Sequence, residues 1–389
     1  MPYVVAFNGN RDRYQLPWAL AEDDALAAFV TDRYAPDWRA KLPGPVGAKA
    51  RARHCPGITS ARVQTDPLAP LPRTHRTNRS GHSQQALARL AQRTVTAARR
   101  TDAGLLLYAE EAALVFAREE MQAHRKGVFL PWPLSGAVAT DPLGPAEPAL
   151  GDVEKACRAA DLVICPSEHV ARSLPEIGVD ASKVRVVPYG SSTLDVPVDS
   201  ATRSGEVCRF VFAGSSEARS GLPHLLAAWE ALAMPRSELH LICDALNGSE
   251  RTHRMNNVVV HAGLRESEVI ELLQDAHVYV QPSLYEVGKT RLPDALGLGA
   301  YVVASTHTVL PDLNPPEHVG VVVDAGDRLR LGGALSEARE RFEDGAIEPG
   351  AIRDFAWKLS WPAFRAGVRQ ACAGVRPATT SNPSACVVS

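Results

Sequence analysis

The chain alternates short apolar runs with longer stretches in which apolar and polar residues follow a helical period. The apolar runs do not alternate residue by residue with polar ones, which is typical of parallel strands covered by helices on both faces. This pattern predicts strands at 3–7, 104–108, 161–165, 184–189, 209–214, 239–243, 257–263, 277–283, 301–305 and 319–326. It predicts helices at 14–30, 85–98, 110–124, 150–160, 168–176, 221–232, 266–275, 291–298 and 328–342.

Strands that alternate with helices form βαβ units and a doubly wound parallel sheet. A stretch rich in Gly, Ser, Pro and Asp interrupts the alternation, which then restarts. We therefore predict an α/β protein of two Rossmann-like, doubly wound domains that face a cleft. The predicted division is a first domain at 1–190 with an irregular insertion at 40–82, a linker at 191–207, a second domain at 208–354, a C-terminal helix at 355–375 that returns to the first domain, and a disordered tail at 376–389.

Charge and composition narrow the range of partners. The 389 residues carry a net charge of −2, and the arginines between 51 and 100 are not interleaved with aromatic residues, so we expect no nucleic-acid partner. No apolar stretch approaches the roughly 18 residues of a membrane span, and the N-terminal run lacks the marks of a secretory signal. The seven cysteines show no paired spacing, as expected of reduced thiols. We expect a cytoplasmic protein without stable membrane insertion, and the sequence is compatible with a homodimer.

The triplet Gly288-Lys289-Thr290 matches the end of a phosphate-binding P-loop. A P-loop also needs a glycine five positions before the second glycine, so that its backbone N–H groups can wrap the phosphates. Ser283 occupies that position. The chain after the first strand, NGNRDRY, likewise lacks the GxGxxG pattern of dinucleotide-binding enzymes. Both observations argue against an ordinary NTPase or dehydrogenase.

Three segments in a fixed order carry a family resemblance. ADLVICPSEHVARSLPEIGVDASKVRVVPYGSS (160–192) contains a strand that ends in Pro-Ser, a helix and a Pro-Tyr-Gly turn. FVFAGSSEARSGLPHLLAAWEAL (210–232) follows the linker. NVVVHAGLRESEVIELLQDAHVYVQPSLYE (257–286) ends on Glu286, which seven residues separate from Asp294. Together they resemble the retaining glycosyltransferases of the GT-B fold, in the large family 4, over most of 155–365.

The resemblance implies a donor site in the second domain. It places Glu286 near the donor sugar as the catalytic residue, with the backbone N–H groups that follow it against sugar or phosphate. Asp294 stands where the family has a glutamate and would accept hydrogen bonds from the ribose, since one carboxylate can accept from two vicinal hydroxyls. The other donor-binding residues that the resemblance implies are Gly214, Ser215, Arg219, Gly263, Leu264, Val287, Gly288, Lys289 and Thr290.

The diphosphate clamp departs from the family pattern. The family places an arginine and a lysine after the strand at 209–214, whereas this chain keeps Arg219 and has Ser220 at the lysine-like position. Our hypothesis is that Lys289 or Arg291, which lie between the two acids, supplies the missing positive charge to the leaving group. The alternative is that Lys289 points into solvent.

The acceptor side is expected in the first domain, because open α/β sheets bind ligands at the carboxyl ends of their strands. The loop after the first strand supplies the candidates Asn8, Gly9, Asn10, Arg11 and Arg13, which contact acceptor or phosphate or form a solvated loop. Trp132 stacks on the acceptor or is an ordinary buried aromatic residue. No Asp-x-Asp triplet and no His/Cys cluster with metal spacing occurs, so we expect transfer without a bound metal.

The resemblance thus implies an enzyme that moves a sugar, with retention, from a nucleoside-diphosphate sugar to an acceptor. The expected donor is a GDP- or UDP-sugar, no further cofactor is expected, and the expected acceptor is a small soluble natural product or saccharide. Two alternatives stay open, namely a catalytically degenerate relative that binds or scaffolds and a nucleotide-sugar epimerase. The accepting atom, oxygen, nitrogen or sulfur, also stays open.

Overall fold

The computed structural model describes residues 1–66, 81–134, 150–197, 205–215, 218–243, 255, 257–285 and 290–374. The predicted tail at 376–389 and the linker residues 198–204 lie outside these ranges. Two parallel sheets with flanking helices make up the described chain, so the predicted α/β class with two Rossmann-like sheets is confirmed.

The first sheet has seven strands, all paired in parallel. Their bounds are Tyr3–Ala6 (β1), Leu26–Thr31 (β2), Val63–Thr65 (β3), Gly104–Tyr108 (β4), Lys126–Phe129 (β5), Leu162–Cys165 (β6) and Val184–Val186 (β7). They are ordered β3-β2-β1-β4-β5-β6-β7 across the sheet. The helices of this half are Gln15–Glu22 (α1), Asp37–Ala40 (α2), Gly44–Arg51 (α3), Gly81–Thr101 (α4), Ala109–Phe116 (α5), Leu150–Ala159 (α6) and Glu168–Ala171 (α7).

The two faces of the first sheet bury separate apolar clusters. Val4 and Leu105 lie in the cluster that α4, α5 and α6 cover, whereas their neighbours Val5 and Leu106 lie in a cluster on the opposite face. Successive side chains of a strand point to opposite faces, so a strand buried on both sides reads as a continuous apolar run. This is why the central strands were recognisable in the sequence.

The helix predicted at 14–30 is wrong over its second half, and part of the predicted irregular insertion has regular structure. Helix α1 ends at Glu22, Asp24 adopts a left-handed φ of 58°, and the run LAAFVT becomes β2. Alanine favours helices, but pairing with β1 and burial outweigh this local preference. Within 40–82, α3 and β3 are regular, and 67–80 lies outside the described ranges.

The second sheet has six parallel strands. They are Cys208–Ala213 (β8), Ser237–Ile242 (β9), Val258–His261 (β10), Val278–Gln281 (β11), Tyr301–Ser305 (β12) and Gly320–Val323 (β13), ordered β10-β9-β8-β11-β12-β13. Its helices are Leu222–Leu232 (α8), Glu266–Gln274 (α9), Leu292–Gly297 (α10) and Arg328–Glu343 (α11). Phe210 and Trp229 meet edge to face in its core, with ring centroids 5.1 Å apart.

The last two described helices lead back to the first sheet. They are Pro349–Ala356 (α12) and Trp361–Ala373 (α13). Arg365 of α13 donates to Gln15 Oε1 at 2.7 Å and lies 4.1 Å above the ring of Trp18, both in α1. Phe364 is buried in the same apolar cluster as Phe129 of β5. Helix α13 therefore joins the two halves of the chain.

No helix in the described ranges is long and apolar enough to cross a membrane.

Candidate donor site and the cleft between the sheets

Two adjoining cavities open at the carboxyl ends of the strands of the second sheet. The larger has a volume of about 340 Å³ and the smaller about 260 Å³. Ala213, Gly214, Ser215 and Thr290 line both, so the two cavities meet at the end of β8. A parallel sheet gathers the loops that follow its strands at one edge, which is where ligands of open α/β sheets bind. The paired cavities therefore adjoin at this edge of the sheet.

The larger cavity lies beside the end of β10 and the start of α9. Gly263 and Leu264, which the resemblance implied for the donor, both line it. His261 also lines it, and burial together with the neighbouring His240 lowers the pKa of His261. Its imidazole is therefore neutral at pH 7 and brings no positive charge to this cavity. Apolar side chains such as Leu264 and Val269 share this end of the site with the polar side chains of His261 and Glu266.

The smaller cavity lies over the turn that precedes α8. Arg219 and Ser220 line it, together with Gln281 and Ser283 at the end of β11. The backbone carbonyl of Arg219 accepts hydrogen bonds from the N–H groups of Leu284 and Tyr285, at 2.8 and 3.1 Å. These bonds fix the turn of the predicted phosphate clamp against the chain that leads into residues 286–289. Glu286, Val287, Gly288 and Lys289 themselves lie outside the described residues.

Arg291 and Glu266 form an ion pair on the wall of the larger cavity. Nη1 and Nη2 of Arg291 donate to Oε1 and Oε2 of Glu266 at 2.8 and 2.6 Å, the two-bond geometry of a strong arginine–carboxylate pair. The hydrogen bonds to Glu266 raise the pKa of Arg291, although burial opposes them. Arg291 therefore stays protonated, but Glu266 and Asp294 both contact its guanidinium and offset its charge, and its role in the clamp stays a prediction.

Asp294 lines neither cavity but contacts Arg291, which lines the larger one. It is 1% exposed, and its Oδ1 accepts from the backbone N–H of Ser192 at 2.6 Å. Its Oδ2 accepts from Arg291 Nη1 at 3.2 Å, and its backbone carbonyl accepts from the hydroxyl of Thr193 at 2.7 Å. Asp294 therefore fastens α10 to the start of the linker, more than 90 residues earlier in the chain.

The candidates in the first domain lie on a strained loop after β1. Asp12, Arg13 and Tyr14 adopt left-handed φ angles of 48°, 50° and 63°, a conformation that non-glycine residues rarely take. The Tyr108 hydroxyl donates to Asp12, and the guanidinium of Arg11 lies 4.6 Å above the Tyr108 ring. Contacts of this kind hold a strained backbone in place, and such strain concentrates at functional sites.

The other candidates of this domain lie at separate places, one of them in a small cavity. Asn8 lines a cavity of about 110 Å³, and the N–H of Gly9 donates to Asp32 on the same wall at 2.9 Å. Asn10 donates to the carbonyl of Ala52 at 2.6 Å. Trp132 is half-buried and packs against the cluster on the α4–α6 face.

The two sheets meet across the cleft at the donor site. Arg13 Nη2 lies 3.4 Å from Glu266 Oε1, and the Tyr285 hydroxyl donates to the carbonyl of Pro133. The structure therefore brings Gly214, Ser215, Gly263, Leu264 and Thr290 together and sets Arg13 opposite them. It leaves Asn8, Asn10 and Trp132 at separate positions.

Glu266 is the residue of this site that sequence reasoning missed. It had one visible signal, a carboxylate two residues after the Gly263-Leu264 pair and at the start of a predicted helix. In the described part of the chain, no group of three His, Cys, Asp or Glu side chains is placed to hold a metal ion.

Known structures resemble this chain over nearly its whole length. Sucrose-phosphate synthase from Thermosynechococcus elongatus superposes with a TM-score of 0.65 at 18% identity, covering 96% of this chain and 98% of its own. Anabaena Alr3699/HepE, solved in complex with UDP-glucose, gives 0.64 at 13% identity, with 96% and 99% covered. A glycosyltransferase from Rickettsia africae gives 0.59 at 10%, with 96% and 99% covered. No protein with a curated description matches the sequence.

These likenesses show the fold, which is GT-B, and the paired cavities lie at the cleft edge of its second sheet. Residues 208–340 match the family of glycosyl transferases group 1. Residues 208–340 are accordingly a group 1 glycosyltransferase domain within this chain. The predicted resemblance is confirmed at this level.

Proposed function

We propose that this protein is a retaining glycosyltransferase of family 4 that takes its sugar from a nucleoside-diphosphate sugar. The observation that carries the proposal is the pair of cavities that meet at Gly214, Ser215 and Thr290. The larger one suits the base and ribose, and the smaller one suits the sugar. The diphosphate would cross the junction, where two hydroxyl side chains stand. UDP is the first nucleotide to test, because Alr3699/HepE was solved with UDP and with UDP-glucose.

The proposed transfer uses the protein's own charges, without a bound metal. The leaving diphosphate gains negative charge, and positive groups that are fixed in advance stabilise this change more than the ground state. Arg219 at the smaller cavity and Arg291 at the larger one flank the junction. Lys289 stays a further candidate, with Glu286 as the catalytic residue near the sugar. The acceptor, small and soluble in this proposal, would approach from the first domain, on the side of Arg13.

The direct test is a thermal-shift panel of UDP, GDP, ADP, CMP and dTDP with their sugars, followed by turnover. A ligand that binds only the folded protein raises the Tm by mass action. We expect UDP or GDP to raise it, and the matching sugar to be consumed once an acceptor is added. Nuclear magnetic resonance of the product should show the donor's anomeric configuration, since the proposed transfer is retaining.

Two variants test whether the nucleotide binds at the smaller cavity. Arg219→Met should weaken binding of the nucleotide by about tenfold to a hundredfold, the loss expected for a charged hydrogen bond. Arg330→Met, on the exposed face of α11, should bind as the wild type does. Binding without turnover would favour the degenerate alternative. A donor sugar that changes without any acceptor would favour the epimerase. Absence of a shift with every nucleotide would contradict the proposed donor site.

A further inference from the structure

Three polar side chains form a hydrogen-bonded row that ends at the larger cavity. Glu238 and His240 lie on β9, and His261 is the last residue of β10. His240 pairs with Val259, and Ile242 pairs with His261 across the two strands. Side chains two residues apart share one face of a sheet, so the three lie on the same face. We call them the histidine relay. Of the three, His261 lines the cavity.

Two hydrogen bonds join the members of the histidine relay. His240 Nε2 lies 3.3 Å from Glu238 Oε2, and His240 Nδ1 lies 3.0 Å from His261 Nε2. The two imidazole rings are stacked, with centroids 5.2 Å apart. Only 14% of the His240 side chain is exposed, so its two nitrogens depend on these partners. Each bond holds one hydrogen, and the Glu238 end decides which atom carries it.

The carboxylate fixes the direction of both hydrogen bonds, because an ionised carboxylate only accepts. His240 must donate from Nε2 to Glu238, which leaves Nδ1 of neutral His240 without a hydrogen. That nitrogen accepts from the Nε2–H of His261. Burial and the neighbouring His240 lower the pKa of His261, so His261 is neutral at pH 7 and its Nδ1 carries a lone pair. Among the described residues, none forms a hydrogen bond with this Nδ1.

We propose that Glu238 and His240 hold His261 in the tautomer with its hydrogen on Nε2, and that His261 Nδ1 accepts a hydrogen bond from the ring N–H of the donor's nucleobase. Uracil has such a hydrogen on N3 and guanine on N1, whereas N3 of cytosine and N1 of adenine are acceptors. Two acceptors that face each other leave both unsatisfied. The relay would therefore select a uridine or guanosine diphosphate sugar over a cytidine or adenosine one.

The inference rests on the proposed nucleotide-sugar site, with the base in the larger cavity. In it His261 determines specificity, whereas Glu238 and His240 are positioning residues that act through His261. A purely structural role of the histidine relay predicts a loss of stability when it is broken, with no change in the choice of base. The ratio of two Kd values for two bases therefore separates the two roles.

The test compares two nucleotides that differ in the ring N–H. Isothermal titration calorimetry at pH 7.5 measures the Kd of UDP and of CDP, or of GDP and ADP if a guanine nucleotide is the binder in the panel. The wild type should prefer the base with the ring N–H by about tenfold, as one hydrogen bond gained against one acceptor left unsatisfied predicts. His261→Phe keeps a ring in the wall but offers no acceptor, so the ratio should fall close to one.

Two further variants test the positioning residues. His240→Phe keeps the stacked ring but frees His261 to take either tautomer, so the ratio should fall mainly because CDP binds more tightly. Glu238→Gln keeps the size of the side chain, but its amide can donate as well as accept, so it no longer fixes the direction and the ratio should fall in the same way. Glu271→Gln, an exposed glutamate of α9, should keep the wild-type ratio.

Nuclear magnetic resonance of protein with ¹⁵N-labelled histidine reads the tautomer directly. The signals of His261 are identified by their loss in His261→Phe, and in the wild type they should show Nδ1 without a hydrogen. If His240→Phe does not fold, Glu238→Gln decides. The inference is overturned if wild-type His261 carries its hydrogen on Nδ1, if His261→Phe or Glu238→Gln keeps the full ratio, or if the wild type shows no preference. Failure of every nucleotide to bind the wild type would instead overturn the proposed function.

Discussion

The two edges of the cleft are built in opposite ways. The second-domain edge presents small residues and backbone around open cavities, with Gly214, Ser215 and Thr290 at their junction. The first-domain edge presents long polar side chains that already contact one another, as Arg11 does with Glu110 and Glu111 at 3.1 and 3.4 Å. One edge is shaped to receive a ligand. The other already holds Arg11 against two carboxyl groups of α5 before any ligand arrives.

This difference indicates which kind of change should disturb each edge most. The second-domain edge is sensitive to steric change where a glycine packs against a strand, because an added methyl group there meets backbone. An edge made of buried charges is sensitive to pH, because burial shifts the pKa values of its groups. The three predictions below test these sensitivities in order of expected size.

The largest effect is expected at Gly221, where the turn that carries Arg219 approaches β11. Its φ is +77°, and an added Cβ would lie 1.8 Å from the carbonyl oxygen of Pro282. Gly221→Ala must therefore move backbone and should lower the free energy of unfolding by at least about 3 kcal/mol, measured by urea denaturation. It should also abolish nucleotide binding, since this turn lines the smaller cavity.

Gly333→Ala is the matched control for this prediction. Gly333 lies inside α11, and no atom lies within 4 Å of an added Cβ. Alanine should stabilise this helix by about 0.5–1 kcal/mol. A Gly221→Ala protein as stable as the wild type would mean that the turn does not press against β11 as described.

The second-largest effect, a pH dependence of stability, is expected from Glu111 of α5 on the first-domain edge. Burial raises its pKa to about 8, with Arg11 opposing the shift and Glu110 adding to it. The folded protein therefore holds a proton that the unfolded chain releases near its ordinary value of 4.5. This contribution to stability is complete below pH 4.5 and is lost as the pH rises towards 8. The loss should be on the order of 3 kcal/mol.

Denaturation curves at pH 5, 6.5 and 8 measure this slope. Glu111→Gln stays neutral at every pH, so its stability should exceed that of the wild type increasingly as the pH rises. Glu110→Gln changes the neighbouring, partly exposed carboxylate of the same helix and should keep most of the wild-type slope. Equal slopes for the wild type and Glu111→Gln would show that Glu111 is ionised in the folded state.

Whether a strand could be predicted from the sequence depends on how apolar it is. Buried parallel strands produce continuous apolar runs, and ten of the thirteen strands of the described chain fall on such runs. The three missed strands lack this signal. Strand β2 is rich in alanine, β3 has only three residues with Gln64 in the middle, and β5 contains Lys126 and Gly127. Their strand form depends on pairing with neighbours, which are distant in sequence.

The residues of the candidate site likewise divide into those that the sequence predicted and those that it did not. Gly214, Ser215, Gly263 and Leu264 lie within three residues of the ends of β8 and β10, so topology alone gathers them at the cavities. Asp294 pairs with Ser192 and Thr193 of the linker, which are distant from it in the sequence. No local sequence pattern predicts that these two residues fold back onto α10. The bond between Arg13 and Glu266 joins residues from different domains and was equally invisible.

The smallest effect is expected where the two edges meet, at the stacked pair His169 and His307. Their rings are 4.1 Å apart, His307 Nδ1 lies 2.8 Å from the carbonyl oxygen of Leu284, and nearby Asp312 accepts the N–H of Glu168 at 2.7 Å. Burial, and then the charges of His307 and Arg172, lower the pKa of His169 to about 4. The unfolded chain binds this proton first, so stability falls as the pH drops from 6.5 towards 4.

The loss on acidification should be on the order of 1 kcal/mol, because His169 is partly exposed and solvent screens its charge. The change of stability with pH that His169 causes is opposite in sign to the one that Glu111 causes. It is therefore best measured between pH 6.5 and 4 in the Glu111→Gln background. His169→Phe keeps a ring against His307 and cannot titrate, so it should flatten this decline. The exposed His318→Gln should leave the decline unchanged. An identical acid decline in His169→Phe would mean that contact between the two edges does not depend on the protonation of this histidine.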